Sequence, residues 1–111
     1  MAVDKISFFE DFLKKKPADD FARYALAMEY AKADRTDDAL SCYEALITQN
    51  PNYSAGYMQS ALLLQRLGRL AEAVARMSAG VEAATRAKDA HARREMQGFL
   101  DEMEQQLSEQ G

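Results

Sequence analysis

Apolar residues recur along this chain at the three- and four-residue spacing of helices that bury one face, in six stretches separated by short polar turns. Ile6, Phe9, Phe12 and Leu13 make the first stripe, over 4–16, and Pro17 closes it. Leu26, Ala27 and Tyr30 make the second, over about 20–33, with Asp19 or Asp20 able to cap the free amides at its start. The third, to about residue 49, carries Ala39, Leu40, Tyr43, Leu46 and Ile47, with Thr36 as its expected cap and Asn50 and Pro51 as its stop. Ser54 is the expected cap of the fourth, which turns Tyr57, Ala61 and Leu64 inward and ends at Gly68. The fifth, about 70–87, buries Ala73, Val74, Met77, Gly80 and Val81, and Gly80 in mid-helix predicts a close backbone crossing. Asp89 then caps a last helix over 89–107 with the stripe Ala92, Met96, Phe99, Leu100, Met103 and Leu107 and a charged outer face. The end from Ser108 to Gly111 is expected to fray.

The stripes are copies of one another. Ala27 and Ala61, Tyr30 and Leu64, Ala39 and Ala73, Tyr43 and Met77, Ile47 and Val81, and Pro17 and Pro51 all stand 34 residues apart. The first stripe joins the series, because Phe9, Phe12 and Leu13 stand one period before Tyr43, Leu46 and Ile47. It therefore reads as the second helix of a repeat whose first helix is absent.

A 34-residue period split into two helices resembles the tetratricopeptide repeat family. Leu26, Ala27 and Tyr30 match the signature of the family's first helix, and Ala39, Tyr43 and Pro51 match its alanine, aromatic and closing proline. The repeat over 54–87 keeps Ala73 and Gly68 but has Tyr57 for the usual Trp, and Ser60 and Thr85 stand where Leu and Pro are usual. The resemblance, to a short bacterial-type form, implies an all-α fold. It is a right-handed α-α superhelix of about six antiparallel helices in a single domain over 1–111: an N-terminal helix at 4–16, repeats at 20–53 and 54–87, and a capping helix at 89–107. A terminal helix apolar on one side and polar on the other covers the last repeat.

Composition narrows the function. A chain of 111 residues, 48% hydrophobic and 29% charged, is long enough to bury a core without disulfides or metal. Eighteen acidic against fourteen basic side chains give −4, which repels phosphate backbones, so no nucleic-acid partner is expected. The amino terminus has acids among its apolar residues and no long apolar core, so no secretion signal, membrane span or membrane partner is expected, and the protein is expected to be cytoplasmic. Cys42 is the single cysteine and His91 the single histidine, which leaves no pair for a disulfide or a zinc site. No nucleophile, base and oxyanion donor assemble, so we expect neither catalytic residues, cofactor nor metal.

What remains is binding. In the family's superhelix the first helix of each repeat lines the concave side. The resemblance therefore implies a protein-binding groove of Tyr24, Met28 and Lys32 from the second helix with Met58, Leu62, Gln65 and Arg66 from the fourth. The apolar pairs at i and i+4 form ridges, with a basic and amide rim. Relatives that grip a carboxylate-ended peptide carry Lys and Asn in the groove, and the apolar residues here do not support that mode. The expected function is a scaffold that takes an amphipathic helix or apolar peptide from a protein partner. The alternative is a homodimer that uses the same groove as its interface, and the terminal helices could also bend over to cover the groove.

Overall fold

Six helices account for the secondary structure of the computed structural model, which describes residues 4–110: α1 (Lys5–Lys15), α2 (Asp20–Lys32), α3 (Thr36–Gln49), α4 (Ser54–Arg66), α5 (Leu70–Arg86) and α6 (Ala90–Gln110). The contacts group α1, α2 and α3 into one unit and α4, α5 and α6 into another. Gly111 lies outside the described residues, and α6 continues through Ser108 to Gln110 where the sequence predicts fraying.

Local chemistry sets the helix ends. Asp19 accepts from the Ala22 amide at 2.8 Å, and Asp89 accepts from the Ala92 amide at 3.0 Å, so both satisfy a donor that the first turn leaves free. Thr36 and Ser54 do not cap. They are already the first helical residues of α3 and α4, and the residues before them, Arg35 and Tyr53, make no side-chain cap bond. Arg35 instead pairs with Asp38 at 2.9 Å, and Arg69 with Glu72 at 2.6 Å, an arrangement repeated 34 residues apart at the starts of α3 and α5. Both pairs are exposed, so each adds little to stability.

Three helices end in the same left-handed turn. Asp34, Gly68 and Lys88 have φ of 59°, 77° and 58°. The residue after each sends its amide back to the carbonyl five residues earlier: Arg35 to Tyr30, Arg69 to Leu64 and Asp89 to Ala84, each at 2.9 Å. This is a Schellman closure, which favours Gly because a Cβ is crowded at positive φ. Only the middle turn has the glycine.

In the first unit α2 packs on both α1 and α3. Leu26, Ala27 and Tyr30 are buried together with Ala39, Cys42, Tyr43, Leu46 and Ile47. Ala27 and Ala39 are 0% exposed, which is how two backbones come close. At the far end, Asp20 accepts from the side-chain amides of Gln49 and Asn50, both at 2.8 Å, tying the start of α2 to the end of α3.

The second unit repeats the plan and extends it. Ala61 and Ala73 are again 0% exposed, and α6 packs on α5 and touches α4. Gly80 is the crossing point, since a Cβ there would stand 2.8 Å from Tyr57 Cβ and 2.9 Å from Met96 Sδ. Met96, Leu100 and Met103 are buried, while Phe99, Val74, Val81 and Leu40, all expected inside, are only half-buried. Ser60 fills the expected leucine place at 0% exposure. Its hydroxyl donates to the Gly56 carbonyl at 2.7 Å and accepts from Arg76 Nη1 at 3.2 Å.

Two substitutions test this account. Lys88→Gly is expected to raise stability by about 1 kcal/mol by relieving the left-handed strain, so a loss in denaturant unfolding would refute the turn assignment. Ala61→Leu should overpack the α4–α5 contact and cost roughly 1–3 kcal/mol, and an unchanged melting midpoint would show that the two helices do not meet there.

Candidate functional site: an apolar cleft between α1 and α2

A cleft of about 540 Å³ runs along α2 beneath the start of α1. On the α2 side it is lined by Phe21, Tyr24, Ala25 and Met28, a second stripe at helical spacing beside the one that packs on α3. From α1 come Phe8 and Phe9, whose rings meet edge to face with centroids 5.2 Å apart and planes at 77°. Lys5, Glu29 and Lys32 complete the lining. Glu29 and Lys32 pair at 3.3 Å, whereas Lys5 has no ion pair among the described residues.

The aromatic rings are unusually open to solvent. Phe8 is 55% and Phe21 69% exposed, while Phe9, Tyr24 and Met28 are half-buried. A large exposed apolar patch of this kind marks an interaction surface more often than chance, since each ring forgoes about 1.5–3 kcal/mol of burial.

Of the residues singled out in the sequence, Tyr24, Met28 and Lys32 line this cleft. Met58, on α4, sits instead in a smaller cleft of about 190 Å³ with Ser54, Ala55, Ala92, Glu95 and Met96, beside α6. The Gln65 side chain donates to Gln106 of α6 at 2.8 Å, Leu62 is half-buried and Arg66 is exposed. Within its own unit the α4 face is therefore partly covered by α6.

Phe8 and Phe21 are missing from the sequence-derived set. A signal for both was present: Phe21 extends the series Tyr24 and Met28 backward by three residues, and two adjacent phenylalanines cannot both face one helix interior.

Behind the cleft, the Tyr30 hydroxyl donates to Glu10 Oε2 at 2.5 Å and fastens α1 to α2, and the Arg35 guanidinium lies 4.6 Å above the Tyr30 ring. Burial pushes the Tyr30 phenol up to about 12, and the bond to the Glu10 carboxylate and its charge push the same way. Cys42 is a packed thiol. Its Sγ donates to the Arg23 carbonyl at 3.3 Å, and burial raises it to about 11, away from nucleophilic use at neutral pH. His91 is exposed, and among the described residues no group of three or more His, Cys, Asp or Glu side chains is placed to hold a metal. No helix among them is long and apolar enough to cross a membrane.

Paired helices in a 34-residue period, with small residues at the crossings, define a class of helical repeat protein. No protein-family model matches the sequence, and no curated protein matches it. Solved structures do. A tetratricopeptide repeat domain protein from Salinibacter ruber is 33% identical over 79% of this chain and 89% of its own, with a TM-score of 0.75. The chain belongs to the tetratricopeptide repeat family. The same fold, at 19% identity and TM-score 0.82, is found in the TPR2B domain of yeast Sti1, solved in complex with pHsp70, over 91% of this chain and 81% of that one. It is found again, at 14% identity and TM-score 0.81, in the type III secretion translocator chaperone SycD of Yersinia enterocolitica, over 93% and 72%.

The Tyr30–Glu10 contact sets an alkaline limit. The folded chain favours the neutral phenol, so this contribution to stability is complete below the ordinary value of 10 and is lost as the pH rises from there towards about 12. Urea midpoints of wild type and Tyr30→Phe are expected to converge between about pH 10 and about pH 12. Parallel curves would show that the phenol ionises alike in the folded and unfolded chain.

Proposed function

We propose that this protein is an interaction module that holds an apolar, amphipathic segment of another protein in the cleft between α1 and α2. The observation that carries the reading is the solvent exposure of Phe8 and Phe21 at the mouth of a cleft already floored by Phe9, Tyr24 and Met28. A volume of about 540 Å³ is that of a binding cleft, and the lining is apolar with charge only at Lys5, Glu29 and Lys32, so polar selection takes place at the rim. None of the lining residues is Ser, Cys or His, and the reading is non-enzymatic. Two fold relatives are described as a complex with pHsp70 and as a translocator chaperone, which makes binding of a protein segment a familiar use of the architecture by analogy.

A display library of 15-residue peptides tests the proposal. Peptides enriched on the wild-type chain are expected to carry apolar residues at helical spacing and to lose at least tenfold in affinity on Phe21→Glu with Met28→Glu. Carboxylates desolvated among those rings would find only Lys5 and Lys32 at the edge. Met58→Glu with Leu62→Glu on α4 is expected to leave binding within about threefold. Loss through the α4 pair alone would move the site to α4, and no enriched peptide would overturn the reading. A sedimentation mass of two chains that the α2 pair returns to one would assign the cleft to self-association.

A further inference from the structure

Resting on that reading, we propose that the occupant of the cleft is a helix of about 13 residues that seats on α1 as a first helix does on its second helix, covering the apolar stripe that α1 leaves open. The second unit supplies the template. There α4, 13 residues long, lies against α5 and touches α6. By the 34-residue period α1 corresponds to α5, and by order in the repeat α2 corresponds to α6. The place that α4 fills in the second unit corresponds to the cleft in the first.

Burial shows what is missing. Phe9, Phe12 and Leu13 stand one period before Tyr43, Leu46 and Ile47, and Phe8 one period before Cys42. Under α2 those four α3 residues are 2%, 0%, 9% and 7% exposed. On α1 only Leu13 is buried; Phe9 and Phe12 are half-buried and Phe8 is 55% exposed. The α1 stripe has the composition of a covered stripe and lacks its cover.

The same comparison specifies the partner. Gly80 lets Tyr57 of α4 approach α5, but Phe12 stands at the corresponding place on α1, so the incoming helix needs small residues where α4 is bulky. On α2 the place of Tyr57 is taken by Arg23 rather than a ring, and one turn on α2 offers the small Ala27, the counterpart of Ala61. Lys5 takes the place of Ala39 and Ala73, both 0% exposed, and its ammonium, which has no ion pair among the described residues, calls for a carboxylate on the occupant. The partner is thus an amphipathic helix with an alanine-type contact position, large apolar residues a turn on either side, and an acid toward Lys5.

The chain contains a probe with that alanine contact and no ring at the Tyr57 place. A labelled synthetic peptide of residues 19–35, which presents Ala27 to α3 in the intact protein, is titrated with the full chain and followed by fluorescence anisotropy and circular dichroism. Saturable micromolar binding with a gain of helix is expected. It should weaken at least tenfold when the peptide carries Ala27→Leu, and again when the protein carries Phe8→Asp, an exposed position that leaves the fold intact. A second protein variant, Lys5→Glu, should weaken it severalfold and steepen with falling salt. Equal binding of the Ala27→Leu peptide overturns the inference. If the 19–35 peptide fails while a proline-containing extended apolar peptide binds in a Phe21-dependent way, the occupant is a strand-like segment: the inference falls and the proposed function stands. If neither binds, both fall.

Discussion

The whole architecture depends on one requirement: a helix with a single apolar stripe must have that stripe covered by a helix that can come close enough to exclude water. The α2–α3, α4–α5 and α5–α6 pairings meet it with an alanine or glycine at the contact. Ala27 and Ala39 do so for α2 and α3, and Ala61 and Ala73 for α4 and α5, all at 0% exposure. Gly80 does so where Tyr57 and Met96 approach from both sides of α5. The 34-residue spacing of the alanines repeats the geometry, so the larger residues around them are free to change.

They have changed in linked ways. Leu26 and Cys42 in the first unit become Ser60 and Arg76 one period later. Ser60 keeps its buried place by donating to the Gly56 carbonyl of its own helix and accepting from Arg76, so a polar substitution on one helix is answered by a polar one on its partner. Arg23 and Tyr57, also one period apart, both send a side-chain donor to the carbonyl of the proline that precedes their helix, at 2.7 and 2.9 Å. Two unlike residues thus fasten the same corner.

That logic explains what could be read in the chain beforehand. Contact alanines, the closing prolines and Gly68 are dictated by sterics and repeat at a fixed offset, so register and helix number were legible. Capping was less so, because Thr36 and Ser54 sit one residue inside their helices and the N-cap positions go to Arg35 and Tyr53, which have no short acceptor to offer. Most of the cleft lining was missed for a different reason. Helix α2 is apolar on nearly every side, with Phe21, Tyr24 and Met28 on one stripe and Leu26, Ala27 and Tyr30 on another. Periodicity identifies both stripes without saying which is covered. For α1 the offset assigned Phe9 and Phe12 to the core, where both are only half-buried.

The incompleteness of that core has an energetic consequence for α1. It contributes one buried side chain, Leu13, and is otherwise held through the Tyr30–Glu10 hydrogen bond and its half-buried aromatics. Elements with few buried contacts open at lower free energy than the domain as a whole. A ligand that binds only the docked form of α1 stabilises that form in proportion to its own affinity and concentration. On the proposed function, ordering of α1 and occupancy of the cleft would form one coupled equilibrium, and a segment filling the space beside Phe8 and Phe9 would also secure the helix that carries them.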